Sequence, residues 1–186
     1  MENKTANAGP LGMIGFGMTT VLLNLHNSGV IELSIVIASM GFALGGLAQI
    51  IAGIMEFRAG NTFGATAFTA YGTFWWSLVI IWANPGGFFT GAESMSVGFY
   101  LLIWGIFTAL MFVGTLKHDH ATQTVFITLA ILFILLAIGE FTGNGNVTIA
   151  AGIVGLVCGL VAIYTSTANV INGEFGRTVL PIGAKK

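Results

Sequence analysis

Six apolar segments, separated by short polar breaks, dominate this chain of 186 residues. They run Pro10–Leu25, Ile31–Met55, Thr62–Ala83, Ser94–Leu116, Ala121–Phe141 and Val147–Val170. Most hold about 20 residues or more, enough for a helix to cross a hydrocarbon core of about 30 Å. Charged residues make up only 7% of the chain and the mean hydropathy is +0.92. A soluble surface needs roughly a quarter charged residues, so most of this surface must face lipid. Segments of this length also exclude a membrane β-barrel, which would show about ten-residue alternation instead. The expected fold is an all-α integral membrane protein of six transmembrane helices. One bundle fills residues 1–186, with no second domain.

The positions of the cations set the topology. The six lysines and arginines are Lys4, Arg58, Lys117, Arg177, Lys185 and Lys186. With six spans, all of them fall on one side, and cationic loops stay cytoplasmic. Both termini are therefore expected inside. The polar stretch from Met1 to Gly9 lacks the ordered regions of a cleaved signal. A short cytoplasmic N-terminus fits the inner membrane of a prokaryote. An inverted 3+3 repeat, common in transporters, is possible with three helices on each side of Asn84-Pro85-Gly86-Gly87. The residues themselves do not display one.

Small residues mark packing faces. Ala38, Gly41, Gly45, Ala48 and Ala52 recur at helical spacing in the second segment, and Gly155, Gly159 and Ala162 in the sixth. Such stripes let helix backbones approach closely; clearing space for a pore is the less favoured explanation.

No span carries an ionisable residue near its centre. Buried charges mark most ion-coupled carriers, so a buried carboxylate relay is not expected. An enzyme is excluded on similar grounds, because no nucleophile–base pair or metal-ligand cluster is present. His118 and His120 flank Asp119, but such a short polar turn is better explained by solvation than by metal binding. No cofactor, metal or nucleic-acid partner is expected. Neutral polar groups must then handle any solute. Phe16, Thr20 and Asn24 share one helical face, and Gln49 sits at mid-membrane, either as a packing hydrogen-bond partner or on a wet path. Thr62, Thr66, Thr69, Thr73 and Ser77 form a hydroxyl stripe whose simplest use is to bond preceding carbonyls.

Several motifs resemble those of the acetate uptake transporter family, which includes the bacterial succinate–acetate permeases. Asn7-Ala-Gly-Pro-Leu-Gly-Met-Ile-Gly-Phe16 is similar to its N-terminal signature, with Ala8-Gly9 standing where the family has its first proline. Glu56-Phe-Arg-Ala-Gly-Asn61-Thr-Phe-Gly-Ala-Thr-Ala-Phe-Thr-Ala-Tyr71-Gly resembles the second hallmark. Asn24-Leu-His-Asn27 and Phe175-Gly-Arg-Thr-Val-Leu-Pro-Ile-Gly183 also match, so the resemblance covers the whole chain. It implies transport of acetate or a similar small carboxylate, channel-like or proton-linked. It further implies a homohexamer with a central path in each protomer and a constriction of Phe16, Tyr71 and Leu129. Tyr71 lies about 200° around a helix from Thr69 and Thr73, so it and the hydroxyl stripe cannot share one narrow pore. Tyr71 is taken as the pore residue.

Beyond the constriction, Thr20, Asn24, Gln49, Asn61, Thr62 and Glu140 are candidate substrate-binding residues. Asn61 and Thr62 cap the third helix, where helix N-termini favour an anion. Phe126, Leu129, Phe133, Leu136 and Glu140 fall along one face of the fifth. The competing functions are a non-transporting sensor or scaffold, expected to have a filled bundle, and a passive pore for a small neutral solute.

Overall fold

A computed structural model describes residues 6–84, 87 and 90–184. The described residues form six helices and no strand. They are α1 (Gly9–Asn27), α2 (Ile35–Arg58), α3 (Thr62–Ala83), α4 (Ser94–Thr115), α5 (His120–Thr142) and α6 (Gly145–Phe175). Four of them, α2, α4, α5 and α6, are long and apolar enough to cross a membrane. Glycines, hydroxyls and amides lower the hydropathy of α1 and α3, and these two also supply much of the bundle's interior.

Two helix limits differ from those expected, each for a local reason. α2 starts at Ile35 rather than Ile31 because the chain first turns back on α1. Gly29 takes φ +80, and the amides of Val30 and Ile31 both donate to Leu25 O. α6 continues past Val170 to Phe175, where Gly176 closes it at φ +60. Apolar sequence marks the extent of lipid, and a helix can run beyond it into water. The tail then folds back: Asn172 Oδ1 accepts from the amides of Val179 and Leu180, and its Nδ2 donates to Leu180 O.

Successive helices alternate in direction. α1 packs along α6, α6 along α5, α5 along α4 and α2 along α3. Large apolar side chains cover the outside: Met95, Phe99, Ile103, Ile106, Leu110 and Val113 on α4, and Ile127, Ile131, Ile134 and Ile138 on α5. Exposed apolar surface on this scale is stable only against lipid or another chain. Arg58, Lys117 and Arg177 are exposed at the end where α1 begins and α6 finishes, called here the terminal end. Lys4, Lys185 and Lys186 lie outside the described residues, as do Pro85 and Gly86 of the loop between the halves.

α2 departs from a regular helix. Its Gly41–Ala48 stretch is a π-helix, a form that appears in short insertions and often near functional sites. The even stripe expected over Ala38–Ala52 is therefore broken. Gly41, Gly45 and Gly46 are buried, whereas Ala38 and Ala48 are only half-buried. A Cβ on Gly45 would stand 2.8 Å from Trp75 Cγ, and one on Gly46 would overlap the Trp76 ring. Trp76 Nε1 donates to Phe42 O within the π segment at 2.9 Å.

Candidate functional site

A file of open spaces runs through the bundle between α1, α3 and α5. At the terminal end, about 260 Å³ of space is bordered by Asn7, Glu56, Asn61, His118, Thr122 and Asn169. Next comes an inner chamber of about 20 Å³, lined by Met13, Phe16, Gln49, Tyr71, Phe126 and Leu129. A second inner chamber of about 30 Å³ is lined by Phe16, Thr20, Asn24, Tyr71, Trp75, Leu129 and Phe133. Beyond it, about 210 Å³ opens at the distal end among His26, Asn27, Trp82, Leu136 and Glu140. The spaces are small at mid-bundle and wide at both mouths, an hourglass.

Phe16, Tyr71 and Leu129 border both inner chambers and divide one from the other. All three are buried. The rings of Phe16 and Tyr71 lie 6.1 Å apart at 50°. Tyr71 Oη donates to Thr108 Oγ1 at 3.0 Å, which draws its hydroxyl toward α4 and leaves the ring at the path. Thr108 in turn donates to Trp104 O at 2.7 Å. The α5 residues expected on one face each border at least one space: Phe126, Leu129, Phe133, Leu136 and Glu140. The hydroxyl stripe of α3 points elsewhere. Thr66 and Thr73 are exposed, Thr73 bonds Ala70 O, and Ser77 bonds Phe74 O.

Polar groups flank the constriction on both sides. Gln49 Oε1 on the terminal side and Thr20 Oγ1 on the distal side are buried without a hydrogen-bond partner among the described residues. An unpaired buried polar group costs about 1–3 kcal/mol, which a passing solute donor would offset at Gln49 and a donor or acceptor at Thr20. Asn24 is committed: its Nδ2 donates to Thr20 O at 2.8 Å, and its Oδ1 accepts from Asn27. Glu140 is half-buried at the distal mouth.

The terminal mouth differs from the expectation of an anion site at Asn61 and Thr62. Asn61 Oδ1 caps α3 by accepting from Gly64 N at 3.1 Å, and its Nδ2 donates to Glu56 Oε2 at 2.6 Å. Its donors face a carboxylate of the protein itself, and Thr62 is exposed outside the chamber's lining. Asn61→Ala removes a cap worth about 1 kcal/mol and strips Glu56 of its partner. Reduced thermal stability in detergent is the expected result; an unchanged melting temperature would show the cap to be idle.

The His118–His120 loop is dispersed. Asp119 caps α5 through Thr122 N and Thr122 Oγ1, both at 2.8 Å. His118 packs on Phe63 with ring centroids 4.6 Å apart, and His120 lies against Gly183 of the tail. Glu56 and Trp75 were missed by the sequence reading as lining residues. Trp75 was findable: it follows Tyr71 by one helical turn and so shares its face.

A helical membrane bundle with an hourglass of chambers along its axis is the architecture of a channel or carrier for small solutes. The chain belongs to the GPR1/FUN34/yaaH family, whose profile matches residues 1–182. It is 52% identical to the succinate-acetate/proton symporter SatP of Escherichia coli K12, over 98% of this chain and 97% of that protein. Its structure is similar to that of the bacterial acetate channel SatP, with a TM-score of 0.95 and 52% identity over 97% of this chain and 100% of the other. A more distant relative is ammonia transport outward protein 2 of Saccharomyces cerevisiae, 38% identical over 90% of this chain and 62% of that protein.

Proposed function

We propose that this protein moves acetate, or a similarly small monocarboxylate, across the cytoplasmic membrane through one path in each protomer. The observation that carries this reading is the division of the two inner chambers by Phe16, Tyr71 and Leu129, with an unpaired polar atom on each side. The apolar ring blocks hydrated ions, because charge and water are costly there. A small acid passes by turning its methyl to the rings, donating its carboxyl O–H to Gln49 Oε1 on one side and engaging the Thr20 hydroxyl with its carbonyl oxygen on the other. The kinship with proteins named for acetate transport supports the same solute.

No acidic or basic side chain lines either inner chamber among the described residues. A proton crossing with the acid therefore rides on the carboxyl group, without a protein relay. The terminal end faces the cytoplasm in this reading, since Arg58, Lys117 and Arg177 gather there. All six helices span the bilayer, α1 and α3 being shielded inside the bundle. Six such protomers form a ring, whose contacts cover part of the exposed apolar surface.

Uptake of labelled acetate into proteoliposomes tests the proposal. Flux above empty vesicles, rising with an inward pH gradient or an opposing voltage, is expected. No flux under either driving force would sink it. A neutral-solute pore is the second reading, favoured by the yeast relative named for ammonia; it predicts solute flux indifferent to pH. Wide mouths that narrow toward one constriction from both ends favour a path over a scaffold.

A further inference from the structure

We propose that Trp75 is a ligand for a carboxylate oxygen in the distal inner chamber, acting together with Thr20. The inference rests on the transport reading and names the group that holds the solute beyond the constriction. Trp75 is 2% exposed and borders this chamber. Its indole Nε1 has no hydrogen-bond partner among the described residues. An indole N–H donates and never accepts, so only an acceptor can satisfy it. Thr20 Oγ1, 2% exposed on the same chamber, is likewise unpaired.

The side-chain donors of Asn24, Asn27 and Tyr71 nearby are engaged. Asn24 Nδ2 is held by Thr20 O, Asn27 Nδ2 by Asn24 Oδ1, and Tyr71 Oη by Thr108. Of the residues that border this chamber, Trp75 and Thr20 thus carry the buried unsatisfied atoms, one an obligate donor and one a hydroxyl. The rest of the wall is apolar, including Phe16, Leu23, Leu129 and Phe133. Such a chamber suits an acceptor-rich head on a short apolar tail. A carboxylate has two acceptor oxygens and no donor, and acetate adds a methyl for the rings. Ammonium has donors and no acceptor, so it satisfies Thr20 alone and leaves Trp75 unpaired; neutral ammonia has a single lone pair and no second acceptor. The terminal-side chamber differs, because Gln49 presents an unpaired acceptor there.

Trp75→Phe keeps an aromatic ring and deletes the donor. In proteoliposomes the variant is expected to raise the KM for acetate about fivefold, with a smaller change in maximal rate. Thr20→Val should act in the same direction. Packing alone would not move a direct spectroscopic readout, the indole N–H proton resonance of the wild-type protein in detergent. The chain has four tryptophans, and the resonance missing in Trp75→Phe identifies the right one. Titration with acetate should shift it downfield to saturation, whereas ammonium chloride at equal ionic strength should leave it in place. A Trp75 resonance unmoved by acetate overturns the proposal even if Trp75→Phe fails to fold. A folded variant with unchanged KM overturns it as well. Wild-type protein without acetate flux would instead defeat the transport reading, and the indole titration would still decide this one.

Discussion

Leu129→Ala is expected to admit larger acids, raising succinate flux by on the order of tenfold for about 1.4 kcal/mol removed from the passage barrier. The reason is positional. Leu129 borders both inner chambers, is 3% exposed, and meets Phe16 and Tyr71 around the divide. Cutting it back to a methyl joins spaces of about 20 and 30 Å³ into one wider passage. Tyr71→Ala should widen the same point but at greater structural expense. Tyr71 packs on Phe16, Trp104, Phe107 and Phe126 and anchors Thr108, and truncating a buried aromatic costs about 3–5 kcal/mol. Leu129→Ala is therefore the cleaner probe. Paired uptake of labelled acetate and succinate checks it. Succinate flux unchanged in a folded Leu129→Ala protein that still moves acetate would mean that passage is limited elsewhere.

How much of this was legible in the sequence depended on the kind of physics involved. Helix positions followed from hydrophobic runs, because lipid imposes a length on anything that crosses it. Their ends did not, because polar residues such as Asn172 and Glu174 continue α6 beyond the apolar stretch. The π-helix of α2 was hidden, since its glycines fit a regular small-residue stripe equally well; the bulky Trp75 and Trp76 rings against Gly45 and Gly46 belong to another helix. At the site, spacing alone never distinguished Phe16, Tyr71 and Leu129 from ordinary core residues, and only the family resemblance selected them. The rotational argument that separated Tyr71 from the hydroxyl stripe was local, and the structure has the ring buried with Thr66 and Thr73 outside. Asn61 exposes the limit of motif reasoning. A capping amide at a helix start reads as an anion site until Glu56, five residues earlier in the chain, is found using its donor.

The glycine stripe of α6 leads to the second large effect. Two uses were open from the sequence, close packing or clearance for a pore, and the contacts favour the first. Gly159 faces Gly17 backbone to backbone: a Cβ on Gly159 would stand 2.9 Å from both Gly17 O and Val21 N. The approach is mutual, since a Cβ on Gly17 would stand 2.9 Å from Gly159 O and Ile163 N. Backbone atoms on two regular helices cannot swing aside as a side chain can, so any larger residue must push α1 off α6. Overpacking a buried site costs about 1–3 kcal/mol when neighbours can adjust, and here they cannot. Gly159→Ala should lower stability within that range, and Gly159→Leu should exceed it and yield little folded protein. Chemical or thermal unfolding in detergent, with size-exclusion recovery, measures both. Gly159 borders none of the chambers described above. A Gly159→Leu protein that unfolds like the wild type but has lost acetate flux would therefore reverse the assignment and make the stripe part of the path. Loss of stability in step with loss of flux would instead follow from α1 moving, because α1 carries Phe16 and Thr20 and cannot leave α6 without opening the constriction.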